Sequence, residues 1–430
     1  MSEVCKCGKI HKSSVDVTVT ENGAVNRIPK FIKKYGSKKV FVLADINTYK
    51  AAGEKICAIL DENKIEHSKY IFEDTALEPD EAAVGAAVMH YDKTCDLVLG
   101  VGSGVINDTG KILSAVADTP YIIAATAPSM DGYASATSSM SMDGLKISLN
   151  SKCPNVIIGD IDILKNAPVR MLQSGLGDML AKYISICEWR IAQLLIGEYY
   201  CEYVAQLVRT ALKKCTDNAA GLLRREDEAV KAVFEGLLIG GMAMEYAGLS
   251  RPASGGEHYM SHIWDMRGLA FGTKTDFHGM QCGIATLETA KIYEQLKAYK
   301  PDKEKALNYV RNFSVDDWNR QLSEFVGKGA AAMIKLEEKE QKYNIEKHSE
   351  RLGKIIGNWD NILQIINEEV PSSAQIERIL DKIGAPKTCD EIGISSDIMP
   401  MTFKASKDIR DKYVLSRLCW DLGILDEIKY

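Results

Sequence analysis

No stretch of this 430-residue chain reaches the ~18 uninterrupted apolar residues that a bilayer-spanning helix requires. The opening MSEVCKCGKIHKSS also lacks the hydrophobic core of a signal peptide. A cytoplasmic protein with no membrane insertion is therefore expected. Sustained Lys/Arg runs are missing too, and the net charge is -6, so nucleic acid is not expected as a partner, because phosphate-backbone binding needs a basic footprint. Any anionic substrate must be handled locally. Neither an internal repeat nor a low-complexity tract is present. Cysteine is not scarce, but an even count is lacking. The eleven thiols, scattered from Cys5 to Cys419, suit a reduced state better than a disulfide framework. Cys5, Cys7 and His11 could clip a metal, although three donors near a frayed terminus are too few for a closed structural zinc site.

With 46% apolar and 26% charged residues, the chain can bury a large core and is expected to make two domains. The hydrophobic period changes once. Before it lie short β-branched runs, KKVFVLAD, DLVLGVGSG, YIIAATAPS and NVIIGDIDIL, with helical patterns such as YKAAGEKICAILDEN and EPDEAAVGAAVMHYD between them. That alternation predicts an α/β domain over 1–166 with a mainly parallel, doubly wound sheet, for which the glycine loop described below suggests a dinucleotide-binding role. SATSSMSMDGLKISLNSKCPN reads as a polar hairpin insert. From Pro168 the apolar runs reach helical length, as in AVKAVFEGLLIGGMAMEYAGLS, which predicts an all-α domain over 167–430, and the histidines described below make it the candidate metal- and substrate-binding domain. The charged run KLEEKEQKYNIEKHSERLGK reads as a solvated helix face.

Three of the seven histidines, His258, His262 and His278, fall in RPASGGEHYMSHIWDMRGLAFGTKTDFHGMQCG. If EHYMSHIW is helical, His258 and His262 share one face. His278 comes from a separate segment opened by Thr273 to Asp276 and closed by Gly279. Two imidazoles and one carboxylate would hold a divalent cation with a position left open, whereas a single histidine is more often a satisfied core residue. HYMSH lacks the glutamate of a zinc-protease helix. The carboxylate is sought at Asp178, which shares its face of QSGLGDMLAKYIS with Ser174, Gly175, Ala181 and Ser185, near the start of the first helix of the second domain. Complementation of an N-terminal helix dipole is the competing explanation.

DLVLGVGSGVINDTGKILSA is a strand entering a glycine loop and then a helix, which lets backbone N–H groups face a pyrophosphate. Gly100, Gly102 and Gly104 would allow the close approach, though many such turns need glycine for geometry alone. Asp45, ending KKVFVLAD, is the candidate ribose acceptor at the C-terminal sheet edge. Thr126, Ser129, Asp131 and Ser135 lie on a loop that borders the same crevice or is simply a polar turn.

GVGSGVINDTGK, TAPSMDGYAS, SGLGDMLAK, GGEHYMSH and HGMQCG, in this order, together with ISSDIMPMTFKASKDIRDKYVLSRL, resemble the glycerol-1-phosphate dehydrogenases, particularly the bacterial form. That group is related to glycerol dehydrogenases, iron-type alcohol dehydrogenases and dehydroquinate synthase. The resemblance implies that Asp178, His258 and His278 hold one metal, Zn2+ or Ni2+ with Fe2+ as an alternative. It also implies that Asp131, Asp178 and His262 contact substrate, with Asp131 and His262 catalytic. Asp45, Gly102, Ser103, Gly104, Thr126, Ser129 and Ser135 would contact NAD(H), with NADP(H) as a second option, and Asp108 and Lys111 would lie on the cofactor side. Iron-type alcohol dehydrogenases place a fourth histidine ligand where this chain has Lys182, and dehydroquinate synthases usually present Glu at Asp178. The expectation is reversible reduction of dihydroxyacetone phosphate to glycerol 1-phosphate by a homo-oligomer acting on a small phosphorylated three-carbon substrate. A polyol dehydrogenase, a dehydroquinate-synthase-like lyase and a non-catalytic metal module are the alternatives.

Overall fold

The computed structural model describes residues 4–142 and 145–430. Its strands are β1 (Val17–Glu21), β2 (Lys39–Asp45), β3 (Glu66–Phe72), β4 (Leu97–Gly102), β5 (Tyr121–Ala125), β6 (Thr137–Met142), β7 (Leu145–Asn150) and β8 (Val156–Asp160). Six of them form one sheet in the order β1-β8-β5-β4-β2-β3, every pairing parallel. The expected strands are all present, and β6 and β7 pair antiparallel as the hairpin insert. Parallel strands need both faces covered, which is why β2, β4, β5 and β8 are nearly unbroken Val, Ile, Leu and Ala. Val40, Val42, Leu97, Leu99, Ile122, Ile158, Ile56 and Leu60 belong to one core cluster on this sheet.

From β2 the chain steps outward to β3, then returns to the other side of β2 for β4 and continues through β5. The winding therefore reverses between β2 and β4, and it is at such a reversal that the connections leaving neighbouring strand ends part to leave a crevice. Register sets Ala44 opposite Val101, so Asp45 and Gly102 end adjacent strands.

The helices that matter for function are α1 (Gly104–Ala117), α2 (Val169–Leu180), α3 (Lys182–Ile196), α4 (Asp227–Ala247), α5 (Gly256–Phe271) and α6 (His278–Lys297). Two compact units result, Met1–Met179 with Thr210–Gly248, and Leu180–Arg209 with Leu249–Tyr430. The expected division at 166/167 differs from this in two respects. The first unit runs on through α2, and it takes back α4, which contains AVKAVFEGLLIGGMAMEYA. Packing explains the return: the α4 ring of Phe234 covers Gly159 of β8 and lies 5.6 Å from the Tyr133 ring. The second unit is entirely helical among the described residues. In it α5 packs on α6 and on the helix Met399–Ser406, and Ile263 joins Trp318, Leu322 and Val326 in a buried cluster.

Two further expectations are corrected. Gly279 does not close the His278 segment, since His278 opens α6 and the apolar positions of MQCGIATLETAKIY carry the helix on. The run KLEEKEQKYNIEKHSERLGK is two helices parted at Gln341, whose φ is +54°, and it buries Glu337 and His348 rather than staying wholly solvated. No helix is long and apolar enough to cross a membrane among the described residues.

Candidate active site

In the first unit the glycine loop follows β4, with Ser103 at the N-cap of α1 and no side chain satisfying its first amides. Those amides and the helix dipole face the crevice, the arrangement that attracts a phosphate. The three glycines divide by role. A Cβ on Gly102 would stand 2.5 Å from Ile106 Cβ, and one on Gly100 would collide with the Tyr121 hydroxyl, so both are demanded by packing. Gly104 would meet only Met130, at 3.6 Å. Ser103 Oγ lies 2.6 Å from Ser129 Oγ, and Thr126 N–H donates to Gly102 O at 3.1 Å, which joins the loop after β5 to the loop after β4. Ser135 is buried, 2.9 Å from Thr137 Oγ1.

Asp45 ends β2 as expected and also caps the short helix Ile46–Thr48, accepting from Asn47 and Thr48 N–H through Oδ1 at 2.8 and 2.9 Å. Asp108 and Lys111 lie on α1 and bond to the segments that follow β5. Lys111 is fully buried, donating to Gly132 O at 2.6 Å and Thr137 O at 3.0 Å, with Asp108 at 3.5 Å. Asp108 also accepts from Ser139 N–H at 3.2 Å. A buried ammonium must be paired. This pair therefore holds the turn Asp131–Ala134 and the start of β6.

Asp178 is fully buried and accepts the Asp131 N–H at 2.9 Å. It stands in the last turn of α2, not near a helix start, where a carboxylate opposes the helix dipole. Dipole complementation therefore does not explain it. The close approach is possible because Gly175 lies against the Pro128 carbonyl, where a Cβ has no room, and Ser174 Oγ donates to Ser129 O at 2.9 Å.

In the second unit the three histidines converge from two helices. Ring centroids are 5.0 Å apart for His258 and His278, 5.7 Å for His262 and His278, and 6.5 Å for His258 and His262. His258 is almost wholly buried, while His262 and His278 are half-buried. The His258 Nδ1 is 2.8 Å from Glu257 Oε1, and Glu257 has no exposed surface. A carboxylate facing Nδ1 makes that nitrogen the N–H, so Nε2 keeps its lone pair, as a metal ligand requires. Ser261 Oγ is 3.1 Å from His278 Nδ1 and accepts from Gln281, which also donates to Asp265 at 2.8 Å. Cys282 Sγ is 3.5 Å from His278 Nε2. Burial pushes the Cys282 thiol up, but the His258 and His278 imidazoles outweigh it and bring it below the usual value.

Glu257, Ser261, Gln281, Cys282 and Glu188 were not anticipated. Ser261 and Cys282 carried a readable signal, since each is one helical turn from a singled-out histidine. Glu257 did not, because neighbours in sequence do not share a helix face. It reaches His258 only by curling back over the N-terminus of α5, where it accepts the Gly255 N–H at 2.8 Å. Glu188 of α3 accepts the next amide, Gly256, at 2.8 Å, and Leu415 N–H at 2.8 Å. Burial first, then the nearby Glu257 charge, push the Glu188 carboxyl up to about 8.

Residues 19–168 match the family described as iron-containing alcohol dehydrogenase. A protein of Pyrococcus furiosus named glycerol-1-phosphate dehydrogenase (NAD(P)+) is 34% identical over 257 residues, 60% of this chain and 72% of that one. A relative of the same name from Bacillus licheniformis is 30% identical over 68% of this chain and 74% of its own. The chain belongs to the glycerol-1-phosphate dehydrogenase family. A further relative so named, from Halalkalibacterium halodurans, is 28% identical and aligns over 96% of this chain and 94% of its own length. The fold is shared with glycerol dehydrogenase of Schizosaccharomyces pombe, at a TM-score of 0.62 and 18% identity over 97% of this chain and 90% of that one. Lys182 is fully buried.

Proposed function

We propose that this family member reversibly reduces dihydroxyacetone phosphate to sn-glycerol 1-phosphate with NAD(P)H and one divalent metal. The observation that carries the reading is the Glu257–His258 pair beside His278, because a buried carboxylate behind an imidazole is what orients a metal-binding histidine. The donor set fits Zn2+, Ni2+ or Fe2+. We assign His258, His278 and Asp178 as the ligands. Asp178 supplies the carboxylate of the set because it is fully buried and falls in SGLGDMLAK, one of the motifs that carry the family resemblance. A bound divalent ion supplies Lewis-acid polarisation of a carbonyl, and the nicotinamide supplies hydride.

The remaining chemistry belongs to the chain. The amides of Gly102, Ser103 and Gly104 hold the pyrophosphate at the α1 N-terminus. Asp45 accepts from the adenosine ribose, and Thr126, Ser129 and Ser135 line the cofactor's path. Asp131 holds a substrate hydroxyl, and His262 delivers the proton to the oxygen that gains charge.

The deciding experiment incubates the metal-loaded protein with dihydroxyacetone phosphate and NADH. The expected product is inert to an enzyme specific for sn-glycerol 3-phosphate. Consumption by that enzyme, or a preference for unphosphorylated glycerol, overturns the proposal.

A further inference from the structure

The arm before β1 contains no helix or strand over residues 4–16, yet it is tightly organised. Cys5 N–H donates to Lys9 O at 2.9 Å and Gly8 N–H to Cys5 O at 2.8 Å, closing a turn in which Gly8 has φ +86°, a conformation that favours glycine. The arm is fastened to the C-terminal end of α4. Lys9 Nζ donates to Ala247 O at 2.6 Å, and Ser13 Oγ and Ser14 N–H donate to the Glu245 carboxylate at 3.0 and 2.8 Å. These contacts place Cys5, Cys7 and His11 so that one donor atom from each lies within 4.8 Å of the others.

The histidine is set up as a ligand. His11 is buried, and its Nδ1 is 3.1 Å from Tyr246 O. A carbonyl can only accept, so Nδ1 carries the proton and Nε2 the lone pair. That Nε2 points at Cys7 Sγ, 3.4 Å away. In a tetrahedral zinc site with Zn–S of about 2.3 Å and Zn–N of about 2.0–2.1 Å, the S···N edge is about 3.5 Å.

We propose that Cys5, Cys7 and His11 bind a thiophilic divalent cation of the zinc class, as a structural clip separate from the catalytic metal. Water or a further donor completes the tetrahedron. Binding deprotonates both thiols and releases two protons, so occupancy falls as pH drops. The clip holds the arm against the end of α4 and takes no part in hydride transfer.

The test uses the reduced full chain, loaded with zinc and then dialysed. A His258→Ala/His278→Ala variant, which strips the proposed catalytic site, is expected to retain one zinc per chain. Adding Cys5→Ser, Cys7→Ser or His11→Ala should remove it, and His11→Cys should keep it. In the otherwise wild-type chain, Cys7→Ser should lower zinc by one equivalent and abolish the thiolate-to-cobalt charge-transfer absorption of the Co2+-substituted protein, with turnover unchanged. Zinc content and cobalt absorption unaffected by Cys7→Ser would mean a thiol–imidazole hydrogen bond only, and would overturn the proposal. Loss of all zinc from the His258→Ala/His278→Ala variant, with a native melting profile, would do so as well.

Discussion

At the scale of single residues, chemistry concentrates where a side chain stands against its local preference. Asp178 sits in the wrong turn of its helix for a carboxylate, and Glu257 is a fully buried acid whose partners are a backbone amide and an imidazole. Both are explained if a cation is held there. Asp178→Asn, His258→Ala and His278→Ala should each lose metal and turnover together, and chelation followed by metal addition should abolish and restore activity. A fully active, metal-free His278→Ala protein would refute the assignment. Glu257→Gln is milder. It preserves the acceptor for Gly255 but weakens the orientation of His258, so metal affinity should fall about 10–100-fold with the fold intact, as read by competitive metal titration. Unchanged affinity would leave Glu257 as a helix cap alone. The histidines and Asp178 were readable as residue types with sensible neighbours. Glu257 was not, because its partnership is made by a turn rather than by a periodicity.

At the scale of elements, the turn from β4 into α1 separates structural glycines from a functional one. Gly102→Ala forces a methyl onto Ile106 and should destabilise the protein by roughly 1–3 kcal/mol, seen as a lower urea midpoint. Gly104→Ala meets ordinary contact with Met130 and gains helix propensity, so its midpoint should hold while the KM for NADH rises, because the methyl crowds the amides that face phosphate. Equal KM values for Gly104→Ala and wild type would remove the loop from the cofactor site. The N-terminus of α5 makes a pH-dependent contribution through Glu188. Its carboxyl is raised from 4.5 to about 8, so the folded chain keeps a proton that the unfolded chain has released. Stability from this group is present below pH 4.5 and is lost as pH rises through about 8. Wild type should therefore lose more stability between pH 5 and 8 than Glu188→Gln, which stays neutral. Parallel urea midpoints across that range would contradict the burial argument.

At the scale of the molecule, the pairing of β2 with β4 makes Asp45 a neighbour of the glycine loop although Asp45 and Val101 stand 56 positions apart in the chain. A carboxylate there should repel a 2′-phosphate, so NADH should be preferred to NADPH and Asp45→Gly should narrow the difference. Better use of NADPH by wild type would place Asp45 away from the ribose and leave it as the cap of Ile46–Thr48. On the substrate side, a pocket built for a dianion leaves donors unpaired when the phosphate is missing. Dihydroxyacetone phosphate should show a kcat/KM at least about a hundredfold above that of dihydroxyacetone, a difference of roughly 3 kcal/mol.

The sequence alone determined the four central strands, the hairpin insert and the helical character of the second half, because β-branched runs and helical periods are local properties, while the more polar edge strands β1 and β3 left no such run; it also marked the histidines, Asp178, Asp45 and the glycine loop as chemically notable. Tertiary structure decided the rest. Strand order decided that Asp45 and Gly102 end neighbouring strands. The fit of Phe234 over Gly159 decided that α4 belongs with the sheet rather than with the helices that follow it. Packing also decided that the buried Lys111 donates to the carbonyls of Gly132 and Thr137. Such pairings join residues far apart in the chain, and packing and the need to satisfy buried polar groups settle them, neither of which leaves a periodic trace in a linear sequence.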